Sequence, residues 1–346
     1  MHALITGHTG FKGAWLTVLL KELGHTISGI SLDPEPGALY ERAELSRLLE
    51  HDLRLDIRDP EAVRGAFRLV EPDVILHLAA QPLVRRSYRE PRLTYETNVM
   101  GSYNVLEAAG GVSALKALVM VTTDKVYRNV NRAEGYREDE PLGGDDPYSA
   151  SKAMADLLTQ SWVSSFPGVP TAIVRGGNVI GGGDVSADRL LVDLIRGFTN
   201  GEPISIRYPE AVRPWQHVLD CLSGYLAVTA ALLNGSGTGA WNIGPDERSF
   251  VSVREIADAA VALWGADASW EDVSQSANPH EAGLLALDAS KARVELNWRD
   301  QISYPDSLIW TLDWSRRVLA AGEDPYLVTV EQVRRFLDGE ARGGAL

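Results

Sequence analysis

An α/β fold with a doubly wound parallel sheet of the Rossmann type, followed by a second, smaller substrate-binding lobe, is what this sequence predicts. Three observations carry it. Short apolar runs alternate with amphipathic stretches through the first half of the chain, the first run leads into three glycines at a spacing of three, and after about residue 178 the rhythm changes to Gly/Pro-rich turns between shorter elements. The runs His2–Thr6, Thr26–Asp33, Asp73–Ala80, Leu115–Thr123 and Thr171–Gly176 read as strands. Between the first two, Phe11, Trp15, Leu16, Leu19, Leu20 and Leu23 recur at helical spacing and stop at Gly24, a usual helix terminator. The unit is strand, turn, helix, strand, and its repetition gives the parallel sheet. Later in the chain Ile204–Arg207 reads as a short strand, and helices are expected over Asp220–Leu233 and Ser252–Trp264. Leu308, Trp310, Thr311, Trp314 and Val318 suit a further helix packed on the second lobe, where the tryptophans are core. Residues 1–177 with 213–247 are expected to form the cofactor-binding domain, and 178–212 with 248–346 the second lobe.

Composition narrows the function. The 346 residues are 45% hydrophobic and 23% charged, an ordinary globular balance. With 33 basic and 47 acidic side chains the net charge is −14, a field that repels polyanions, so no nucleic-acid partner is expected. No apolar run reaches a membrane span of roughly 18 residues, and the strand beginning at Ala3 leaves no room for a signal peptide, so no membrane partner and a cytoplasmic location are expected. Cys221 is the sole cysteine, which excludes an intrachain disulfide and a cysteine-based metal site. His and Cys are not clustered and no Gly-x-Ser-x-Gly elbow occurs, so metal and serine-hydrolase chemistry are not expected.

Gly7-His8-Thr9-Gly10-Phe11-Lys12-Gly13 lies between the first strand and the first helix. Gly7, Gly10 and Gly13 in this context form a dinucleotide turn, in which the backbone approaches a pyrophosphate and the helix N-terminus offers unpaired N–H groups to the anion. Asp33, 20 residues beyond Gly13 at the end of the second strand, is placed to bind a ribose 2′-hydroxyl; its charge repels a 2′-phosphate and favours NAD over NADP. His8 and Lys12 either touch the phosphates or face solvent.

Only six lysines occur, so a lysine inside a motif is informative. Tyr148 and Lys152, four apart at the start of a helix after Pro147, share one helix face. A phenol with an ordinary pKa of about 10 needs a neighbouring cation to act as a base near neutrality, and Lys152 together with an oxidised nicotinamide supplies it. The strand ending at Thr123 delivers Thr123, Asp124 and Lys125 to the carboxyl edge of the sheet, where such folds bind ligands.

These motifs resemble the extended short-chain dehydrogenase/reductase superfamily, and within it the nucleotide-sugar 4,6-dehydratases, over nearly the whole chain. The glycine turn and the stretches Leu78–Tyr88, Thr97–Gly101, Gly177–Asp184 and Arg213–Val218 look like those of the dehydratases acting on CDP-glucose. Asp124-Lys125 is the sharpest mark, because most other dehydratases of this type carry Asp-Glu there. The resemblance implies that Tyr148 deprotonates the sugar 4-hydroxyl as C4 passes a hydride to NAD, with Thr123 bonded to the same oxygen. Lys125, or a base it positions, then takes the C5 proton, Asp124 protonates the departing 6-hydroxyl, and the hydride returns to C6, so the net reaction is that of a lyase. A basic Lys125 requires a lowered pKa, and the two roles within the Asp124-Lys125 pair stay open.

The resemblance also assigns Phe11, Lys12, Asp56, Ile57, Ala79, Ala80, Gln81 and Asn98, with Tyr148 and Lys152, to NAD, and Arg86, Asn178, Arg189 and Arg213 to the nucleotide-sugar substrate. His217 is expected to pack structurally. Tyr208 stands where the family carries Asn, and the run His280-Glu281-Ala282-Gly283-Leu284-Leu285-Ala286-Leu287-Asp288 departs from its pattern, so the base or sugar can differ. Relatives pair as homodimers through segments matching Tyr95–Ala109 and Tyr148–Ser164. Three alternatives remain: a dehydratase of another nucleotide sugar, a 4-epimerase or dehydrogenase, and a non-catalytic NAD-binding protein of the same fold.

Overall fold

The computed structural model describes residues 1–132, 134–265, 268–274 and 285–341. Seven parallel strands form the central sheet: β1 (His2–Thr6), β2 (Thr26–Ser31), β3 (His51–Arg54), β4 (Val74–His77), β5 (Ala117–Val121), β6 (Thr171–Gly176) and β7 (Gly239–Ile243). Their order is β7-β6-β5-β4-β1-β2-β3. The chain winds outward from β1 to β3 and then restarts beside β1 at β4, so the order reverses between β1 and β4. Ligands of such sheets bind beyond the carboxyl ends at this reversal.

Strand residues alternate between two cores, as a sheet covered on both faces requires. Ala3, Ile5, Val74, Leu76, Ala117, Val119 and Val121 pack with Trp15, Leu16 and Leu19 of the first helix (α1, Phe11–Glu22) and with the Val218–Leu233 helix. Leu4, Ile75, Leu118 and Met120 face the opposite way, towards Phe67 and Val70 of the Pro60–Val70 helix and Val105 and Leu106 of the Ser102–Ala109 helix. Gly13 to Leu20 of α1 are buried without a break, because the Pro325–Ala341 helix covers the side of α1 turned away from the sheet.

β1 and β6 have the predicted bounds. β2 stops at Ser31, two residues short of Asp33, and β4 and β5 are also shorter than their apolar runs. The prediction lacks β3 and β7. β3 reads His-Asp-Leu-Arg and is an edge strand paired only with β2, so neither alternation nor apolar character marks it. β7 completes the far edge against β6 from within the irregular second half.

In that second half the Leu190–Asn200, Val253–Trp264 and Asp306–Ser315 helices enclose a separate core around Leu194, Phe198, Ile256, Leu308 and Leu312. Short strand pairs edge it, Ile204–Ile206 with Trp270–Asp272 and Val212–Pro214 with Phe250–Ser252. Ser252 and Glu255 form a reciprocal capping box that fixes the start of the Val253–Trp264 helix. Trp310 and Trp314 are core, and the buried His217 ring stacks edge-on between Trp15 and Trp310. Cys221 is buried. No helix among the described residues is long and apolar enough to cross a membrane. His280–Leu284 of the departing run lie outside the described residues.

Candidate active site

One cleft of about 1730 Å³ opens at the carboxyl edge of the sheet, running from the glycine turn across β4 and β5 to the second lobe. Two glycines of the turn are required for different steric reasons. Gly7 has φ +78°, and an added Cβ would lie 2.8 Å from the Ala79 nitrogen; at Gly13 it would lie 2.2 Å from the Gly7 oxygen. At Gly10 the nearest atom, the Gly7 oxygen, is 3.4 Å away, an ordinary contact, so the protein itself leaves room for a Cβ at the mouth of α1. No side chain caps the α1 N-terminus, so its first N–H groups remain available to an anion. This bare cradle fits a dinucleotide pyrophosphate. Asp33 stands at the rim with its side chain 89% exposed.

Replacing Gly13 by Ala forces the turn open, with an expected stability loss of about 1–3 kcal/mol and loss of NAD binding in a tryptophan-fluorescence titration. Gly10→Ala is the matching control. Its Cβ fits the protein but enters the cradle, so NAD binding falls while the melting temperature holds.

His8 corrects the expectation that it faces phosphates or solvent. It is fully buried against Gly29, and its Nε2 lies 2.8 Å from Asp52 Oδ1, which belongs to the unpredicted β3. Burial lowers its pKa and keeps the ring neutral. Lys12 turns inward, donating to the Tyr225 hydroxyl at 3.1 Å. Asp56, Ile57, Ala79, Ala80 and Gln81 line the cleft. Asn98 does not: it is buried, its Oδ1 accepts from the Gln81 N–H at 2.8 Å, and its Nδ2 donates to Ser151 Oγ at 2.8 Å. Its amide is engaged within the protein, where it braces the cleft wall at Gln81.

Thr123, Asp124, Lys125, Tyr148 and Lys152 all line the cleft. β5 ends at Val121, and a single turn of 3-10 helix over Asp124–Val126 presents the three consecutive groups. The Thr123 hydroxyl donates to Asp124 Oδ1 at 2.8 Å, and Lys125 Nζ donates to the same oxygen at 3.1 Å. Asp124 is 2% exposed and Lys125 33%. The Pro147–Ser165 helix, started by Asp146 capping the Ser149 N–H, carries Tyr148 and Lys152.

Two electrostatic expectations change. Desolvation pushes Lys125 downward, but the Asp124 carboxylate and Tyr148 outweigh it and its pKa is raised, so the resting side chain is an ammonium instead of a ready base. Tyr148 is raised by burial, and the cation that most opposes this is Lys125, where Lys152 was expected. The Lys152 ammonium instead donates to the Val121 carbonyl at 2.7 Å, and desolvation followed by the charge of Lys12 lowers its pKa to about 8.

That shift has a measurable sign. A lysine whose folded value lies below its ordinary 10.5 costs stability while charged in both states, and stability is regained as pH rises from about 8 towards 10. Unfolding of the cofactor-free protein compared with Lys152→Met should show this gain, about 3 kcal/mol at its limit. A difference independent of pH across that window would contradict the shift.

On the substrate side Arg86, Asn178, Arg189 and Arg213 face the cleft. Arg86 pairs with Glu90 at 3.0 Å and Arg189 with Asp184 at 2.9 Å. Arg85 is a further cation on the wall, paired with Asp188, which the sequence reading did not single out. Also missed is a buried pair beneath the 123–125 turn, Asp156 with Arg175. Its available signal was the position of Asp156 four residues after Lys152, on the same helix face.

A doubly wound sheet with a glycine cradle, a Tyr/Lys helix and a Thr-Asp-Lys turn on one cleft is the arrangement of a dinucleotide-dependent enzyme of the epimerase and dehydratase kind. The chain belongs to the NAD dependent epimerase/dehydratase family, whose model matches residues 3–244, and its cofactor is NAD. It is 42% identical to the CDP-glucose 4,6-dehydratase of Salmonella typhimurium, over 98% of this chain and 96% of that protein. It is 27% identical to the dTDP-glucose 4,6-dehydratase of Haemophilus influenzae, over 91% of this chain and 97% of that one. Among solved structures, DesIV, a dTDP-glucose 4,6-dehydratase from Streptomyces venezuelae with NAD and TYD bound, superposes with a TM-score of 0.79 at 26% identity, covering 94% of this chain and all of that one (100%). The UDP-glucose 4-epimerase of Thermus thermophilus in complex with NAD shares the fold, with a TM-score of 0.78 at 24% identity over 91% of this chain and 99% of that one.

Proposed function

We propose that this chain removes water from CDP-glucose to give CDP-4-dehydro-6-deoxyglucose. The observation that carries this reading is the placement of Asp124-Lys125 on the same turn as Thr123 and in the same cleft as Tyr148, so that groups for elimination stand beside groups for oxidation. The 42% identity to a CDP-glucose 4,6-dehydratase supports the choice of donor. Arg86, Asn178, Arg189 and Arg213 hold the substrate diphosphate, and Gly7, Gly10, Gly13, Phe11, Lys12, Asp33, Asp56, Ile57 and the Ala79–Gln81 segment hold NAD.

NAD supplies a hydride acceptor that oxidises C4 and later gives the hydride back. Tyr148 takes the proton of the 4-hydroxyl, and the Thr123 hydroxyl, on the same cleft, bonds that same oxygen. The resulting ketone acidifies the proton on C5. Passing one proton from Lys125 Nζ to Asp124 Oδ1, 3.1 Å away, converts the resting ion pair into a neutral base and a neutral acid together. Substrate covering the partly exposed Lys125 favours that neutral pair, because desolvation penalises separated charges most. Lys125 then accepts the C5 proton while Asp124 protonates the 6-hydroxyl, which leaves as water. Return of the hydride to C6 would leave an enolate, which takes a proton at C5 from the Lys125 ammonium, and the proton held by Tyr148 then restores that ammonium.

Incubation with NAD and, separately, CDP-, TDP-, UDP- and GDP-hexoses, followed by mass-resolved chromatography, tests the reading. Loss of one water from CDP-glucose is the expected result. Loss from another donor moves the substrate, and an isomer or accumulated reduced cofactor without water loss overturns dehydration in favour of epimerisation or dehydrogenation.

The same reading gives residues 1–177 with 213–247 to the cofactor and 178–212 with 248–346 to the sugar nucleotide, in a cytoplasmic homodimer. The exposed side chains of Met100, Met154 and Leu157, on the two segments through which relatives pair, support the dimer. Light scattering should give twice 37.7 kDa; a single-chain mass at working concentration overturns it.

A further inference from the structure

Beneath the catalytic turn lies a polar network that the chemistry above does not use. Arg175 on β6 is 1% exposed and Asp156 on the Pro147–Ser165 helix 0%. Arg175 grips Asp156 with two parallel bonds, Nε to Oδ2 at 2.8 Å and an Nη2 to Oδ1 at 2.9 Å. Its Nη1 reaches the Tyr127 hydroxyl at 2.7 Å and the Glu138 carbonyl at 2.9 Å. Tyr127 in turn donates to Asn242 Oδ1 on β7 at 2.7 Å, and Thr122 Oγ1 donates to Asp156 Oδ2 at 3.2 Å. Thr122 and Tyr127 bracket Thr123-Asp124-Lys125, while Asp156 sits one helical turn beyond Lys152 and two beyond Tyr148.

We infer that the Arg175–Asp156 pair is a positioning device that locks the acid-base turn to the helix carrying Tyr148 and Lys152, and so sets the distance between the oxidising and eliminating groups; this rests on the dehydratase reading. A buried ion pair is weak ground for stability, since apolar residues of similar volume often replace one without loss. Its planar fork is strong ground for geometry, because bidentate bonds fix both distance and orientation. The two groups arrive on different elements, the turn after β5 and the helix; the pair ties the helix to β6, and Asp156 through Thr122 and Arg175 through Tyr127 tie both ends of that turn to it. Asp156 is also the buried carboxylate that holds up the charge on Lys152 against desolvation and the charge of Lys12 on α1, with the buried His77 on β4 as the other titratable group beside it.

Arg175→Lys keeps the charge and removes the fork. Its kcat for water loss should fall about tenfold to a hundredfold with KM little changed, because a displacement near 1 Å suffices for such a loss. The fraction of turnovers that stall after oxidation, read as reduced cofactor per water released, should rise. The paired replacement of Arg175→Met with Asp156→Leu guards against unfolding as the explanation, since it removes both charges together; it should melt near the wild-type temperature yet show the same fall and the same stalling. A folded double variant with wild-type kcat and coupling overturns the inference. In the cofactor-free protein, Asp156→Asn should move the alkaline stability gain assigned to Lys152 to lower pH; an unmoved gain overturns the link between Asp156 and Lys152. This last measurement needs no substrate, so it still reads the network if the unaltered protein dehydrates no donor and the functional reading itself fails.

Discussion

Tyr148→Phe should abolish turnover by a factor of about 10²–10⁴ while leaving the fold and NAD binding intact. The phenol oxygen is what the substitution removes, and the ring keeps its place at the start of the Pro147–Ser165 helix, 9% exposed on the cleft wall. The size of the loss follows from the state of that oxygen. Burial raises the Tyr148 pKa, so the resting phenol is neutral, and the charge of Lys125, the Thr123 hydrogen bond and Arg189 oppose burial. The positive charge of the bound cofactor has to complete the shift before the phenol accepts the 4-hydroxyl proton. The oxidation rate in single turnovers should therefore climb with pH in the unaltered protein, and the climb should vanish in Tyr148→Phe. Lys125→Met should move the climb to higher pH, because it removes the cation that most opposes burial. An unshifted profile in Lys125→Met would return that role to Lys152.

The site was more legible in the sequence than the distances within it. Glycines at a fixed spacing, a Tyr and a Lys one helical turn apart and three polar residues at a strand end are local patterns, and local patterns survive in one dimension. Of the residues they marked, those on the glycine turn, on the 123–125 turn and on the Pro147–Ser165 helix converge on one cleft. What could not be read depends on contacts between distant segments. His8 is buried because Asp52, 44 residues away on a polar edge strand without apolar periodicity, accepts its bond. Asn98 is spent on Gln81 and Ser151, 17 and 53 residues away, which no spacing rule links to it. The charge state of Lys125, which the sequence leaves open, is settled by a local contact combined with burial: its neighbour in sequence, Asp124, is also its partner in space, and at 3.1 Å that carboxylate, with Tyr148, outweighs the desolvation that a lysine base requires.

Asp124→Asn should separate oxidation from elimination. Asparagine keeps the shape and, through its carbonyl oxygen, the hydrogen bond from Thr123, so the turn stays closed. The charge that principally holds up the Lys125 pKa disappears, and with desolvation left unopposed by that carboxylate the lysine loses its proton more readily. The variant then retains a base for the C5 proton but has no acid for the 6-hydroxyl. Expected is a drop in water release of about 10²–10⁴-fold, with reduced cofactor and a 4-keto sugar nucleotide that still carries its 6-oxygen accumulating. Deuterium from solvent should appear at C5 of that species, because proton removal there can run without loss of the hydroxyl. Exchange in Asp124→Asn together with its absence in Lys125→Met assigns the base to the lysine and the acid to the aspartate. Exchange lost in Asp124→Asn and kept in Lys125→Met reverses the two roles, and unchanged water release removes Asp124 from the mechanism.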